Sequence, residues 1–410
     1  MKILHTSDWH LGSSLYGRKR YDEYESFLNW LSEYIENEDI DVLLVAGDIF
    51  DNSTPSTRAQ ELYYRFLHRM ARINGLQVVV TAGNHDSPSL LNAPKALLRT
   101  LDIHVIGSVT GDATDEVLVM KNRDGVPALI VCAVPYLRDR DIRNAEPGES
   151  TEDKTKKIQD GIYAHYREVL EAAEARRVEI GHDLPVIAMG HLFVKGGQAG
   201  TDDGVRELYV GNLALVRADL ISPGCAYLAL GHLHRPQVIS GTVPCRYSGS
   251  PLPMGFGEAG QEKMVIVAET GPGSAFNINE VRVPCFRQLL TLKGELEMVE
   301  ARLQEICLSG QKVWVEVILD DDSAAANVQE RLREMTSQTA VQLLRVKNTA
   351  REEWALRQIE AGVCLEDLSE TDVFLRCLDA AEITGEKRKT LMDAFAEILV
   401  SIREEDSLAG

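Results

Sequence analysis

The chain has 410 residues, enough for two or three domains, since a domain commonly spans about 100–200 residues. Its hydrophobic fraction of 44% and charged fraction of 26% are typical of a soluble globular protein and exclude a disordered or collagen-like chain. No run approaches the ~20 apolar residues of a membrane-spanning helix, and the start MKILHTSDWH lacks the apolar core of a secretory signal. We therefore expect a cytoplasmic protein without membrane association.

Cysteine usage and charge narrow the class of protein further. The seven cysteines are scattered and form no CxxC motif, which argues against a disulfide framework or a zinc knuckle. The net charge of −20 excludes a general electrostatic attraction to nucleic acid. Any contact with DNA must therefore be local, or must depend on metal ions or a partner for positive charge.

Strand and helix patterns alternate over the first ~110 residues, as they do in βαβ units. The continuous apolar run DVLLVA is typical of a parallel strand that is buried on both faces. We predict strands at 2–6, 41–46, 76–82 and 103–106, and helices at 21–37, 57–73 and 93–101.

Short strands separated by Gly and Pro turns follow from residue 116, together with one long charged helix at 152–177. They indicate a second sheet packed on the first, so that residues 1–283 form one α/β domain. The strands are predicted at 128–134, 185–189, 226–230, 238–239, 245–248, 264–268 and 275–283.

The pattern changes after residue 283. Three strands (289–293, 313–319, 341–345) alternate with two helices (296–307, 324–335), which predicts a small βαβαβ domain over 284–347. A linker is predicted at 348–368, and two amphipathic helices, at 370–383 and 386–403, in a tail over 369–410. The second helix has an apolar stripe of Leu391, Met392, Phe395, Ile398, Leu399 and Ile402.

Five short polar motifs stand out, each at the end of a predicted apolar strand. Ligand sites of open α/β sheets form beyond the carboxyl ends of strands, so we expect the motifs to converge on one rim. The motifs are SDWH with Asp8 and His10, AGDIFD with Asp48 and Asp51, TAGNHD with Asn84, His85 and Asp86, AMGHL with His191, and ALGHLHR with His232 and His234.

The donor chemistry of these motifs indicates a metal centre. Carboxylate oxygen, imidazole nitrogen and one amide oxygen suit Mn, Fe or Zn ions, and the absence of thiolates argues against a structural zinc site. Seven candidate ligands exceed the need of one ion and match two ions that share a bridging carboxylate. Two ions ~3.5–4 Å apart can activate water and hold a phosphoryl group for in-line displacement.

Each motif alone has a structural alternative. GDxxD often ends a strand as a turn or helix N-cap, Gly-Asn favours a turn, and a single His191 would more often be a hydrogen-bonded core histidine. The five motifs together, in this order and at strand ends, favour the metal centre over these alternatives.

The order DxH, GDxxD, GNHD, GH and GHxH resembles the binuclear metallophosphoesterase superfamily, the calcineurin-like phosphoesterases. Wider segments resemble its SbcD branch over nearly the whole chain: KILHTSDWHLG, VAGDIFD, AGNHDS, PYLRDRDIR, GHLHRPQ and YSGSPLPMGFGE. The resemblance implies a four-layer αββα sandwich with a small βαβαβ capping domain and a C-terminal helical tail. It also implies a manganese-dependent DNA nuclease of repair, recombination and replication, acting as a 3′–5′ exonuclease on duplex ends and as an endonuclease on hairpins or single strands.

The resemblance also implies roles for individual residues. His85 would face the scissile phosphate as a catalytic group, oriented by Asp51 or a neighbouring carboxylate. One ion would be held by Asp8, His10, Asp48 and His234, and the second by Asp48, Asn84, His191 and His232, with Asp48 bridging.

Two basic clusters are candidates for local DNA contacts, with solvated salt-bridged surface as the alternative. The clusters are Arg18, Lys19 and Arg20, and Arg138, Arg140 and Arg143. The loop GSPLPMGFGE at 249–258 lies near the active-site rim in the family, or is an ordinary turn-rich connection.

Two helical surfaces are candidates for protein partners. The tail stripe would bind the coiled coil of an SbcC-type ATPase, with Leu391, Phe395, Ile398, Leu399 and Ile402 as contacts, or would pack on its own chain. Helix 57–73, with Leu62, Tyr63, Phe66 and Met70, would form half of a homodimer bundle as in the family, or would pack on its own sheet.

Two rival functions stay open at this point. A phosphatase or nucleotide phosphodiesterase could use the same fold, because the metal motifs do not select the substrate. A non-catalytic scaffold is a rival of another class, and the complete set of seven candidate ligands argues against it.

Overall fold

The computed structural model describes residues 1–143, 149–181, 183–198, 216–271, 276–320 and 325–348, and isolated positions between 374 and 395. The chain divides into two compact units, one of Met1–Thr291 with Lys312–Val315 and one of Leu292–Gln311 with Glu316–Gly410. Within the described ranges, no helix has the length and apolar character needed to cross a membrane.

The strands of the described chain are numbered in chain order. They are β1 (Lys2–Thr6), β2 (Ser14–Leu15), β3 (Arg18–Lys19), β4 (Val42–Ala46), β5 (Gln77–Thr81), β6 (Ile103–Ile106), β7 (Val117–Lys121), β8 (Pro127–Ala133), β9 (Val186–His191), β10 (Tyr227–Gly231), β11 (Gln237–Ile239), β12 (Cys245–Tyr247), β13 (Met264–Thr270), β14 (Phe276–Arg282), β15 (Gln288–Gly294), β16 (Val313–Leu319) and β17 (Gln342–Asn348).

The helices follow the same convention. They are α1 (Tyr21–Asn37), α2 (Thr57–Met70), α3 (Pro88–Asn92), α4 (Lys95–Arg99), α5 (Asp139–Ile142), α6 (Thr151–Ile180), α7 (Ala218–Ile221), α8 (Leu296–Ser309) and α9 (Ala325–Thr336).

Two six-stranded sheets form the first unit. One has the order β14-β13-β1-β4-β5-β6, with β1, β4, β5 and β6 parallel, and the other has the order β11-β12-β10-β9-β8-β7, with β8, β9, β10 and β12 parallel. Residues from both sheets, such as Leu44 and Met189, share one buried cluster, so the sheets pack face to face. Helices α1 and α2 cover the outer face of the first sheet and α6 that of the second, which confirms the αββα sandwich.

Strand β4 shows why the run DVLLVA carries no polar residue in its middle. Successive side chains of a strand point to opposite faces. Leu43 and Val45 pack against the helices, whereas Val42 and Leu44 pack against the second sheet. Both faces are therefore buried, as expected from the apolar run.

Helix α2 begins at a capped terminus and packs on its own sheet. The Ser56 hydroxyl accepts a hydrogen bond from the Ala59 amide, which satisfies one free N–H of the first turn. Its apolar side chains are buried in the core of this chain: Leu62, Tyr63, Phe66 and Met70. These residues thus have packing partners within the chain, and the homodimer stays a prediction.

Some predicted boundaries were wrong. The helix predicted at 93–101 is the shorter α4, Lys95–Arg99, which begins after Pro94, and the short helix α3 before it, Pro88–Asn92, was not predicted. Helix α6 runs longer than predicted, from its Ser150 cap to Gly181, which adopts a left-handed φ of 73°. Strand β9 extends to His191, and the hairpin of β2 and β3 was not predicted.

Strand β16 lies at the centre of the sheet β15-β16-β17, and helices α8 and α9 occupy the two connections, in the predicted βαβαβ order. The predicted linker, 348–368, lies outside the described residues, as do Ile398, Leu399 and Ile402 of the tail. Of the tail positions that are described, Leu391 is half-buried, and Phe395 stacks on Phe374 with ring centroids 4.0 Å apart.

Candidate metal centre

The five motifs converge at the carboxyl ends of β1, β4, β5, β9 and β10. Hydrogen bonds join their loops: the His10 amide donates to the Asp48 carbonyl at 3.0 Å, and the His232 amide donates to Asp8 Oδ1 at 2.9 Å. The structure therefore brings together all seven predicted ligands, Asp8, His10, Asp48, Asn84, His191, His232 and His234.

The first group of donors surrounds His10 and His234. Their Nε2 atoms lie 3.1 Å apart, and one ligand atom each from Asp8, His10 and His234 lie within 4.8 Å of one another. His10 Nε2 is also 3.7 Å from Asp48 Oδ2.

The second group surrounds Asn84. The Asn84 Oδ1 atom lies 3.1 Å from His191 Nε2 and 3.1 Å from His232 Nδ1. His191 Nε2 is 3.2 Å from Asp48 Oδ2, the same oxygen that faces His10. One carboxylate oxygen thus lies within reach of both groups.

The donor separations fit a bound divalent ion. Two ligands at bonds of about 2.1 Å and adjacent coordination positions lie about 3–3.5 Å apart, and opposite ligands about 4 Å apart. The two imidazole nitrogens of His10 and His234 are 3.1 Å apart, and the imidazole nitrogens lie 3.1–3.7 Å from carboxylate or amide oxygens, all within this range. The donor set contains nitrogen and oxygen and no cysteine, so the residues present suit divalent metals.

Hydrogen bonds on the far side of one ring fix which nitrogen is free. A carbonyl oxygen only accepts, so His191 Nδ1 must donate to the Ala46 carbonyl at 2.9 Å. In the neutral ring the lone pair therefore lies on Nε2, the atom that faces Asp48 and Asn84. This outer contact sets the tautomer that a metal ligand needs.

Four of the ligands have left-handed backbone conformations, with φ of 52° at Asp8, 48° at His10, 51° at Asp48 and 103° at His232. Such conformations cost about 1–3 kcal/mol each for residues other than glycine and are held by their surroundings. Here the main-chain bonds between the loops hold them, among them Asp8 N to the Gly47 carbonyl at 3.0 Å. The tight turns aim adjacent side chains into the rim.

Glycine in the GN and GH motifs is required by close packing. A Cβ atom on Gly83 would collide with the carboxylate and amide of Asp48, and one on Gly231 would collide with the Ala46 carbonyl and His191. Gly83 therefore lets neighbouring loops of one sheet approach closely, and Gly231 does so between the two sheets, so that the side chains can share one site.

The histidine ligands differ in their protonation states. Burial lowers the pKa of His10 to about 4 and that of His232 to about 3, so both rings are neutral at neutral pH. Burial also disfavours charge on Asp48 and His191, but their mutual contact outweighs it, and the pKa of Asp48 lies well below its usual range while that of His191 rises to about 9. Burial raises the pKa of Asp8 to about 6. His10 and His232 are therefore already in the neutral form that binds a divalent ion, whereas His191 carries a proton that a bound ion would displace.

Comparison with known proteins places this site in a family. A family model described as calcineurin-like phosphoesterase matches residues 1–236, and a second, described as type 5 capsule protein repressor C-terminal domain, matches residues 285–382. The SbcD subunit of the SbcCD nuclease from Escherichia coli K12 is 33% identical over 407 residues, which cover 99% of both chains. The chain belongs to the SbcD family of calcineurin-like phosphoesterases.

Other members of the SbcD family match over shorter stretches. The Rhodobacter capsulatus protein is 39% identical over 285 residues, 67% of this chain and 68% of its own. The Bacillus subtilis protein is 35% identical over 295 residues, 72% of each chain.

The predicted catalytic residues lie beside the first donor group of this SbcD-family chain. His85 is half-buried, and its ring centroid is 4.9 Å from that of His10. The ring is oriented by the Asp51 backbone, because Nδ1 donates to the Asp51 carbonyl at 2.8 Å. The Asp51 carboxylate instead lies 3.7 Å from His10 Nδ1. Orientation through a carboxylate, as expected from the resemblance, is replaced by orientation through the main chain.

Asp86 is a residue that the sequence analysis placed in a motif without a role. Its buried carboxylate accepts hydrogen bonds from the amides of Ile49, Phe50 and Gly83, at 3.1, 2.9 and 2.8 Å. It therefore ties the loop after β4 to the loop after β5. In the sequence, the only indication of this role was the position of Asp86 at the end of the GNHD motif.

The predicted DNA-contact residues occupy different environments. Arg20 is a correction, because its side chain is 1% exposed and bonds to Glu23 Oε2 at 2.8 Å and to the Pro253 carbonyl at 2.6 Å. This burial gives it a structural role, and the DNA-binding prediction is not extended to it. Arg18 and Lys19 are exposed on β3.

The second basic cluster is divided in the same way. Arg140 is exposed, whereas Arg143 pairs with Asp139 at 3.0 Å and with Glu149 at 2.9 Å. Arg138 is half-buried and donates to the Asp86 carbonyl at 3.1 Å, directly beside the GNHD loop.

Proposed function

We propose that this chain is the nuclease component of an SbcC–SbcD-type complex and hydrolyses DNA phosphodiesters with two divalent ions. The main support is the convergence of five motifs, with Asp48 Oδ2 3.2 Å from His191 Nε2 and 3.7 Å from His10 Nε2. The family supports the substrate, since the Escherichia coli relative is named a nuclease. We assign the activity to DNA repair, recombination and replication in the cytoplasm.

The proposed ion is manganese, which a mixed set of carboxylate, imidazole and amide donors suits. When bound, two such ions supply positive charge to the phosphate oxygens and a more acidic water for in-line displacement. One ion would be held by Asp8, His10, Asp48 and His234, and the other by Asp48, Asn84, His191 and His232.

His85 is the proposed general acid. Hydrolysis joins the oxygen of water to phosphorus and breaks the bond to the 3′ oxygen, which must gain a proton. Because Nδ1 is bound to the Asp51 carbonyl, Nε2 is the atom of His85 that can transfer this proton. The Asp51 carbonyl thus orients the ring of His85, and the Asp51 carboxylate places a negative charge near His10.

Local basic residues would position the DNA backbone on an otherwise acidic protein. Arg18, Lys19 and Arg140 are exposed, and Arg138 lies beside the GNHD loop. We keep Arg143 as a weaker candidate, because two carboxylates already pair with it. Action as a 3′–5′ exonuclease on duplex ends and as an endonuclease on hairpins or single strands belongs to the same proposal.

The regions after residue 283 have separate proposed roles. The βαβαβ module over 284–347 would be the capping domain that controls DNA access, and 348–368 the linker. The tail, 369–410, would bind the coiled coil of an SbcC-type ATPase, and the chain would form a homodimer. Deletion of 369–410 should spare metal binding and abolish co-purification with the ATPase, and unchanged co-purification would contradict the tail assignment.

One experiment separates this function from its rivals. The complex with the ATPase is assayed with Mn²⁺, with and without ATP, on 5′-labelled linear duplex DNA and on small phosphate mono- and diesters. The nuclease proposal predicts shortening of the duplex from its 3′ ends, and loss of cutting in Asp48→Asn. Preferential hydrolysis of the small esters would favour the phosphatase. The scaffold would be favoured if nothing is cut and Asp48→Asn leaves the other functions of the complex intact.

A further inference from the structure

A buried ion pair lies behind the metal ligand His234. Lys263 Nζ and Glu258 Oε2 are 2.5 Å apart, and the two side chains are 4% and 2% exposed. Neither residue belongs to the five metal motifs. Glu258 is the last residue of the GSPLPMGFGE loop, whose role the sequence left open.

Lys263 holds the main chain of His234. Its ammonium group donates to the His234 carbonyl at 3.1 Å and to Ser250 Oγ at 3.0 Å. The Ser250 amide donates to the same carbonyl, also at 3.1 Å. The backbone position of this ligand is therefore set by direct bonds from the side chain just before β13 and from the loop.

Glu258 acts on the other side of the His234 ring. Its Oε1 atom lies 3.7 Å from His234 Nδ1, whereas His234 Nε2 faces His10 Nε2 at 3.1 Å. The distance of 3.7 Å exceeds that of a hydrogen bond, so the carboxylate influences the ring through its charge. A negative charge near Nδ1 favours the proton on that nitrogen and leaves the Nε2 lone pair for a metal ion.

A purely structural ion pair is the alternative. Buried ion pairs often contribute little to stability, because the loss of hydration offsets their attraction. The contacts of this pair are instead directed at one ligand, since Lys263 bonds to the His234 main chain and Glu258 faces its ring.

We propose that Glu258 and Lys263 are positioning residues for His234 and set the affinity of the ion held by Asp8, His10, Asp48 and His234. The ion held through Asn84, His191 and His232 depends on other outer contacts, such as that from the Ala46 carbonyl to His191. The proposal rests on the proposed binding of two divalent ions, and it predicts that the two sites respond differently.

The test measures Mn²⁺ binding by calorimetry and by electron paramagnetic resonance on the full-length chain. The variants are Glu258→Gln and the double substitution Glu258→Gln with Lys263→Met, which leaves no unpaired buried charge. The matched control is Glu116→Gln, since Glu116 is also buried and faces a histidine, His165, at 2.9 Å, away from the motifs. Circular dichroism verifies the fold of each variant.

We expect one of two Mn²⁺ sites to weaken by about 10–100-fold in both variants, the range seen for outer contacts of metal ligands, with the other site unchanged. The control should bind as the wild type does. The proposal is overturned if both sites keep their affinity, if both weaken equally, or if Glu116→Gln has the same effect.

Failure of the proposed function gives a different result. A wild-type chain that binds fewer than two Mn²⁺ ions contradicts the two-metal centre and this inference together. A wild-type chain that binds two ions, weakens at one site in the variants and cuts no DNA contradicts the nuclease alone.

Discussion

His85 Nδ1 lies 2.8 Å from the backbone carbonyl oxygen of Asp51, so the main chain of the GDxxD loop orients this ring. The His85 amide in turn donates to Asp48 Oδ1 at 2.9 Å. The loop after β4 therefore fixes both the main chain and the ring of His85. This arrangement separates two roles of Asp51, because its side chain can be changed while its carbonyl stays in place.

His85→Gln should lower DNA cleavage by at least about 100-fold, the usual contribution of a general acid, and leave two Mn²⁺ ions bound. Metal content and nuclease rate are measured on the same preparation. Asp51→Asn is the comparison, and we expect a smaller loss because the bond from His85 to the main chain remains. Loss of both metal ions in His85→Gln would contradict its role as a proton donor.

Asp86→Ala should destabilise the fold by about 3 kcal/mol or more, because three buried amides lose a charged acceptor. Urea unfolding measures the change. Asp183→Asn is the control, since Asp183 has an 88% exposed side chain and should change stability by no more than about 0.5 kcal/mol. Equal effects of the two substitutions would show that Asp86 does not tie the loops together.

Gly83→Ala should weaken Mn²⁺ binding and DNA cleavage at least about tenfold, because the new Cβ collides with Asp48. Gly111→Ala makes the same chemical change in open space, without a left-handed backbone, and should behave as the wild type. Calorimetric Mn²⁺ titration of both variants gives the comparison. Wild-type affinity in Gly83→Ala would mean that the loops can separate without harm to the site.

His5 predicts a pH dependence of stability. Burial lowers its pKa to about 3, from an ordinary 6.5, and Nδ1 is 2.9 Å from the Tyr227 hydroxyl. Between these values the unfolded chain binds a proton that the folded chain does not, so stability from this group is complete above about pH 6.5 and declines as the pH falls toward 3.

Between pH 6.5 and pH 4.5, the free energy of unfolding should therefore fall by about 2–3 kcal/mol less in His5→Gln than in the wild type. This estimate follows because one pKa unit corresponds to about 1.36 kcal/mol. Urea unfolding at several pH values measures both chains. Parallel stability curves would show that His5 carries its proton in the folded state.

The strand-end ligands could be predicted from the sequence because their pattern is local. Each motif follows an apolar strand, and parallel strands end on one side, so convergence followed from topology. The bounds of α4 were less accurate, because the start of the helix was predicted at Ala93, and in the structure α4 begins only after Pro94.

Contacts between distant segments could not be predicted. Arg18, Lys19 and Arg20 are equivalent as sequence letters, and only the packing of Glu23 and Pro253 around Arg20 distinguishes its burial. The bond of His85 to a carbonyl leaves no sign in the sequence, because every residue has a carbonyl. The pairing of Glu258 and Lys263 behind His234 depends on the path of a loop without a repeating pattern.

Anomalous diffraction at the manganese absorption edge, from crystals soaked in Mn²⁺, would locate the ions among the seven ligands. We predict two peaks, one bonded to His10 and His234 and one to Asn84 and His191, with the Asp48 carboxylate in contact with both. A single peak, or peaks that lie away from these side chains, would contradict the two-metal centre from which the proposed nuclease follows.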